Sequence, residues 1–202
     1  DSFSKLTRID AALPADLDEE ALRGSPSTPA GTTDAVTAGA AMASDYVVAH
    51  LDELAKLKRD EPAPERAKKI AVFAEAFAAL GLFVVGLDPR ADRLEVARAK
   101  VKGARFVEGR AEALPFPDGS FDLAFFGLAL HHLDPVPALR EASRVARRVA
   151  VLEWPYREEE VGPPLGRRFS LEALEGLFRE ALGSPPRFLV AEGYVLALWD
   201  KG

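Results

Sequence analysis

The chain has 202 residues, of which 48% are hydrophobic, and a formal net charge of −6. That is enough apolar material for a sizeable core, and the length suits one domain with an appendage. The acidic balance argues against a nucleic-acid partner, which would call for a basic face; the absence of cysteine excludes disulfides and thiolate metal sites; and with only three histidines (His50, His131 and His132) no metal site is expected.

Residues 1–30 read as irregular, with Asp16–Leu22 able to form a short helix and Gly24–Gly31 (GSPSTPAG) a turn or linker. Thr32 or Thr33 then caps a long helix through about Lys58. Val36, Ala40, Ala43, Val47, Leu51 and Leu54 recur at helical steps and form one apolar stripe. Asp34 near the start and Lys56, Lys58 and Arg59 at the end suit the helix dipole. This N-terminal helical segment covers a sheet face, closes over a ligand, or pairs with a second copy as a homodimer helix. Pro62 and Pro64 break the chain, so a helical cap or appendage over 1–64 is expected before a sheet domain over 65–202.

Ala67–Leu80 (AKKIAVFAEAFAAL) reads as helix from its Ala content and the spacing of Ile70, Phe73, Phe77 and Leu80, with Gly81 as its stop. Leu82–Leu87 is a short apolar run ending at Asp88, the pattern of a buried parallel strand with an acidic tip. Ala91–Val101 is an amphipathic helix, Arg105–Glu108 a short strand, Ala111–Ser120 a Pro-rich loop and Phe121–Leu130 an apolar strand holding Phe125 and Phe126. Pro137–Arg147 reads as helix, Val149–Glu153 as strand and Leu171–Ala181 as helix; Arg187–Ala191 and Tyr194–Asp200 close the chain as an antiparallel pair, with Trp199 in the core. Strands separated by helices predict an α/β fold: a Rossmann-like, mostly parallel sheet with flanking helices and an antiparallel C-terminal strand pair.

No apolar run approaches the roughly 20 residues of a membrane span, so no membrane partner is expected. The chain lacks a basic start followed by an apolar core, so a cytoplasmic location is expected; its first residue is not Met, which leaves processing, truncation or excision open. The Ala, Leu, Arg, Glu and Pro bias fits either a thermophile's composition or a high-GC genome.

Asp88 is the clearest site candidate. A carboxylate at a strand's carboxyl end can accept both hydroxyls of a ribose; an Asp before Pro89 can equally cap a turn. The segments GLDP (Gly86–Pro89), RFVEGRAEALPFPDGSFDLAFFGLALHHL (Arg105–Leu133) and ALREASRVARRVAVLEW (Ala138–Trp154) resemble the class I S-adenosylmethionine-dependent methyltransferases. The likeness is strongest to the small methyltransferases related to ubiquinone and menaquinone biosynthesis, and spans about Phe73 to Gly202. It implies S-adenosylmethionine as cofactor and a small-molecule methyl acceptor. It places Asp88 and Pro89 at the ribose, Arg110, Ala111 and Glu112 at the adenine, and Gly127–His132 along the methionine and acceptor end, with Gly127 and Leu128 on the cofactor. Gly162–Phe178 is similar to a substrate-side loop and helix of some members.

Three departures stand out. The family's strand one and its glycine-rich turn should fall near Ala67–Val72 (AKKIAV), which holds no glycine. Without that strand a buried middle slot would leave unpaired backbone groups, each costing about 1–3 kcal/mol. Either an N-terminal segment fills the slot or residues are missing from the chain. Arg110 stands where many relatives carry an acidic residue; it could lie over the adenine ring, with Glu112 accepting from the amino group. The turn before the fifth strand shortens to Ala146–Arg148.

His132 is the candidate base, marginally ahead of His131, although packing or solvation explains either histidine. Glu153, Trp154 and Tyr156 line the acceptor pocket or simply pack, and Gly162–Arg168 clamps an anionic acceptor or is a surface loop. Arg157–Glu160 reads as a solvated charge run. Three functions remain open: methyl transfer by in-line positioning, a non-catalytic methyltransferase-like binding or scaffold domain that has lost the glycine loop, and a different dinucleotide-binding enzyme.

Overall fold

In chain order the elements are β1 (Ser4–Arg8), α1 (helical residues 71 and 73–78), β2 (Phe83–Asp88), α2 (Ala91–Lys100), β3 (Ala104–Glu108), β4 (Phe121–Gly127), α3 (Pro135–Val145), β5 (Ala146–Glu153), α4 (Leu171–Leu182), β6 (Arg187–Val190) and β7 (Val195–Asp200). The computed structural model of the protein describes residues 4–8, 71, 73–78, 82–160 and 162–202. The helices expected at Asp16–Leu22 and from Thr32 to Lys58, the Gly24–Gly31 linker and the division after residue 64 lie outside the described residues. No described helix is long and apolar enough to cross a membrane.

The strands form one sheet in the order β3-β2-β1-β4-β5-β7-β6. Two expectations change here. Residues 1–30 are not wholly irregular, because Ser4–Arg8 is a strand in the middle of the sheet. It runs antiparallel to both neighbours, Ser4 opposite Leu87 on β2 and Phe126 on β4. The slot expected to lack its strand is thus filled by the N-terminal segment, and the ladder groups of β2 and β4 facing it are paired. Nor are most pairings parallel: only β2–β3 and β4–β5 are, while β1–β2, β1–β4, β5–β7 and β6–β7 are antiparallel. By direction, β2 to β6 all run one way, with β1 and β7 against them.

Side chains alternate between two buried faces. Val85, Leu87, Ala124, Phe126, Val149 and Val151 join the cluster under α3 and α4, with Leu139, Ala142, Leu174 and Phe178. Val84, Leu123, Phe125, Ala150 and Leu152 join the opposite cluster with Phe73 and Phe77 of α1 and Leu94 of α2. Burial on both faces is why these strands read as continuous apolar runs rather than alternating ones.

Local chemistry sets the element ends. Pro135 opens α3 at its first position, two residues ahead of the expected start, where a missing N–H costs nothing. Ser170 Oγ accepts from the Ala173 N–H at 3.1 Å at the start of α4, and Gly183, at φ 81°, closes it. Ala146–Arg148, expected as a shortened turn, is strand: α3 passes directly into β5, with Ala146 opposite Phe121. β4 ends at Gly127 rather than Leu130, because Leu128 turns to φ 54° and Leu130–His132 form a single 3-10 turn.

Candidate functional site

Strands β2, β3, β4 and β5 point the same way, so the residues that follow them share one sheet edge, where open α/β sheets bind ligands. Asp88 and Pro89, the Gly109–Ala113 turn, Gly127–His132, and Glu153 with Trp154 all gather there. β1, running the other way, begins at that edge.

Asp88 is fully buried. Its Oδ1 accepts the Arg90 N–H at 2.8 Å. Its Oδ2 has no hydrogen-bond partner among the described residues and faces Arg93 Nη1 at 3.7 Å. Burial pushes the Asp88 carboxyl above the usual range, while the Arg90 N–H and Arg93 pull the other way. A buried carboxylate oxygen without a donor is costly, and a vicinal diol has the two donors to relieve it. Both residues after Asp88, Pro89 and Arg90, are exposed.

The turn after β3 docks on this tip through the Gly109 N–H, which donates to the Asp88 carbonyl at 3.2 Å. Arg110 is exposed, its Nε 3.7 Å from Glu112 Oε2. Ala111 is buried in the α3–α4 core. Glu112 Oε1 accepts the Asp134 N–H at 3.4 Å, tying the turn to the segment after β4.

Sequence reasoning singled out the LPFPDGSFD loop but missed what holds it. Arg144 on α3 donates to the Phe116 carbonyl and Asp118 Oδ1, both at 2.8 Å, and to the Leu114 carbonyl at 3.0 Å. Glu141, one turn earlier on the same helix face, accepts the Leu114 N–H at 2.8 Å and pairs with Arg144. Its bonds to Arg144 hold the Glu141 carboxyl below the usual range. The signal was the E-x-x-R spacing in a helix facing the loop.

After β4, the Cβ that Gly127 lacks would stand 2.6 Å from the Phe73 ring. Leu128 holds a left-handed backbone, φ 54°, and its N–H donates to the Leu152 carbonyl at 2.9 Å. Residues seldom adopt that conformation without glycine, and such strain gathers at functional segments. Beyond the turn, His131 Nδ1 lies 2.9 Å from Glu153 Oε2 and 3.1 Å from Oε1. The His131 N–H donates to Oε1 at 3.1 Å and the Trp154 N–H to Oε2 at 3.4 Å. The two side chains are 3% and 1% exposed. His132 sits with its ring 4.1 Å from that of His131. Although His132 is exposed, the protein around the ring displaces enough water, with His131 adding to the effect, to push its pKa down to about 4.

The 154–168 loop closes on itself. The Trp154 ring fills the space a Cβ would take at Gly162, 2.9 Å away, and Arg168 lies 5.6 Å over the same ring. Arg168 is buried and donates to the carbonyls of Pro155 and Pro163 and to Glu159 Oε2. It therefore pins this loop instead of presenting its charge to an acceptor; Arg167 beside it is exposed. Glu159, expected in a solvated charge run, bridges Arg157 and Arg168. Tyr156 is exposed.

The fold and this edge define an open α/β sheet protein whose polar side chains collect at the carboxyl ends of its strands. Residues 70–152 match the family model described as a methyltransferase domain. Relatives include an uncharacterised methyltransferase of Mycobacterium bovis, 36% identical over 85 residues, covering 41% of this chain and 35% of that protein. The demethylmenaquinone methyltransferase of Lactococcus lactis is 39% identical over 79 residues, covering 35% of this chain and 31% of its own length. A crystal structure of an S-adenosylmethionine-dependent methyltransferase from Thermotoga maritima has a TM-score of 0.51 at 20% identity, over 85% of this chain and 95% of that one, a likeness of fold. Over that matched stretch, residues 70–152, the chain is similar to the S-adenosylmethionine-dependent methyltransferases, whose cofactor is S-adenosylmethionine. The chain spans about a third of the length of the curated relatives it matches.

Proposed function

We propose that the chain catalyses S-adenosylmethionine-dependent transfer of a methyl group to a small-molecule acceptor. The observation that carries the proposal is Asp88, a buried carboxylate at the tip of β2 with one oxygen that no described group hydrogen-bonds. That oxygen and its partner fit the two hydroxyls of the cofactor ribose, with Pro89 shaping the turn beside them. Arg110, Ala111 and Glu112 border the adenine: the exposed guanidinium lies over the ring, the Ala111 backbone meets its edge and Glu112 accepts from its amino group. Gly127 and Leu128 border the methionine portion, and His132 stands at the acceptor end.

When bound, the cofactor supplies an already activated methyl sulfonium. The chain's own part is to hold the acceptor in line and exclude water, which is worth several kcal/mol of the barrier. The acidic net charge supports a partner that is not a nucleic acid. A cytoplasmic location, a boundary near residue 64 with Ser4–Arg8 assigned to the sheet, and pairing of two copies through the N-terminal helix belong to the same proposal.

A second reading has an observation of its own. The start of the antiparallel β1 stands at the edge where the family has a glycine turn. This favours a methyltransferase-like binding or scaffold domain without catalysis. Calorimetric titration with S-adenosylhomocysteine separates the two. Binding, with about 2.7 kcal/mol of added stability at 100 times Kd, supports the catalytic reading, and weaker binding by Asp88→Ala supports the ribose role. No binding at millimolar concentration leaves the scaffold. NAD in the same assay tests a dinucleotide enzyme.

A further inference from the structure

We infer that His131 and Glu153 act as a dyad in which His131 Nε2 takes the proton of an acceptor hydroxyl as that oxygen is methylated. The inference rests on the methyl-transfer reading above and names its acceptor class, an alcohol or phenol. Glu153 ends β5, and His131 lies in the turn after the neighbouring parallel strand β4, so both reach the carboxyl edge. The backbone N–H groups of His131 and Trp154 both donate to the Glu153 carboxyl group, and His131 Nδ1 lies within 3.1 Å of both its oxygens. In the dyad Nδ1 carries the hydrogen toward Glu153, which leaves the lone pair on Nε2. No described protein group bonds Nε2. The left-handed turn at Leu128 precedes this placement.

Two further observations separate a working pair from packing. A buried ion-capable pair is at best a modest source of stability compared with apolar side chains of the same volume, yet these two side chains are almost wholly enclosed. The neighbouring His132, exposed and pushed down to about 4, has low proton affinity and no carboxylate partner among the described residues. The chemistry of the acceptor follows. A neutral amine attacks a sulfonium with its own electron pair, whereas a neutral hydroxyl becomes a competent nucleophile only as it loses its proton. The oxygen–methyl bond forms as the sulfur–methyl bond breaks. The electron pair returns to sulfur, S-adenosylhomocysteine leaves, and the hydroxyl proton ends on His131 beside the Glu153 carboxylate.

The test uses the full chain labelled with nitrogen-15, the tautomer of each histidine being read by nitrogen NMR and folding being followed by circular dichroism. We expect the Nδ1–H tautomer at His131, lost or shifted in Glu153→Gln, with the His132 resonances unchanged. An Nε2–H tautomer of His131, or His131 resonances indifferent to Glu153→Gln, overturns the dyad. Should Glu153→Gln not fold, the parent protein decides: an Nδ1–H tautomer supports the dyad, an Nε2–H tautomer overturns it. In a panel of phenols, sugar alcohols, amines and thiols, turnover is expected on hydroxyls, with a loss of at least about a hundredfold in His131→Gln. Turnover on an amine or thiol that is undiminished in His131→Gln overturns the acceptor class. His131→Gln retains S-adenosylhomocysteine binding, so failure of that binding in the parent protein indicts the methyl-transfer reading instead.

Discussion

Gly127 allows packing and ligand approach to be separated as reasons for a glycine. The residue ends β4, and its φ is not in the left-handed region, so its backbone angles do not require glycine. A Cβ there would stand 2.6 Å from Phe73 Cε2 and 2.8 Å from two other ring atoms. Phe73 has little room to withdraw. Its ring lies tilted on Phe125 at 5.5 Å between centroids, and Phe125 meets Phe77 edge-on at 4.9 Å. Gly127→Ala is therefore an overpacking change, expected to cost about 1–3 kcal/mol. For a domain of this size that is a fall in Tm of about 2–12 °C. Phe73→Leu alone leaves a void and costs about 1–2 kcal/mol. In the double variant the new methyl takes up part of that void, so the two costs are sub-additive by about 1–2 kcal/mol. Urea denaturation of the four proteins, followed by circular dichroism, measures the cycle, with S-adenosylhomocysteine titrations in parallel. A Gly127→Ala protein as stable as the parent, or strict additivity, refutes the packing argument. Loss of S-adenosylhomocysteine affinity in a stable double variant would place Gly127 against the cofactor.

Arg144→Ala should cost about 2–4 kcal/mol in urea denaturation, because the Leu114 and Phe116 carbonyls lose a charged donor together. Arg144→Lys should recover less than half of that, since an ammonium cannot fork across both. At Leu128, a β-branched Val should cost about 1–2 kcal/mol at φ 54°. Gly there should fall within about 1 kcal/mol of the parent, as relief of strain offsets lost packing; equal stability of the Val and Gly variants would argue against strain. The two carboxylates have opposite pH signatures. Glu141, held low by Arg144, contributes stability that is present above its unfolded pKa and lost as pH falls through the folded one; Glu141→Gln should flatten the acid limb of stability against pH. Asp88, raised by burial, contributes stability present below its unfolded pKa and lost as pH rises through the folded one. If its ionised form holds the ribose, S-adenosylhomocysteine affinity measured by calorimetry should decline on acidification before ordinary carboxylates titrate.

The features legible in the chain were those written in local pattern. β2, β4 and β5 are buried on both faces, so their residues form short apolar runs that need no partner to be recognised. α4 carries its Ser170 cap and its Gly183 stop in plain view. Asp88 could be singled out because an acidic residue at the end of such a run is unusual, and the structure puts it at the sheet edge, buried. The histidine pair was visible too, but not which of the two meets a carboxylate. That choice is made by the 3-10 turn after Leu128, which carries His131 to Glu153, 22 residues away.

What only the tertiary structure decided depends on distant segments meeting. SKLTR holds one apolar residue and carries no hydrophobic signal; β1 exists because β2 and β4 offer ladder groups on either side of it, and its antiparallel direction makes the sheet mixed. Arg144 was one charged residue among several on its helix until α3 was laid beside the LPF loop, 26 to 30 residues upstream. Arg168 was equally available to an acceptor or to its own loop, and the carbonyls of Pro155 and Pro163 claimed it. Periodicity along the chain records which faces are apolar. Which polar group answers which is settled only when parallel strands bring their carboxyl ends to one edge, because a hydrogen bond requires its partner within about 3 Å.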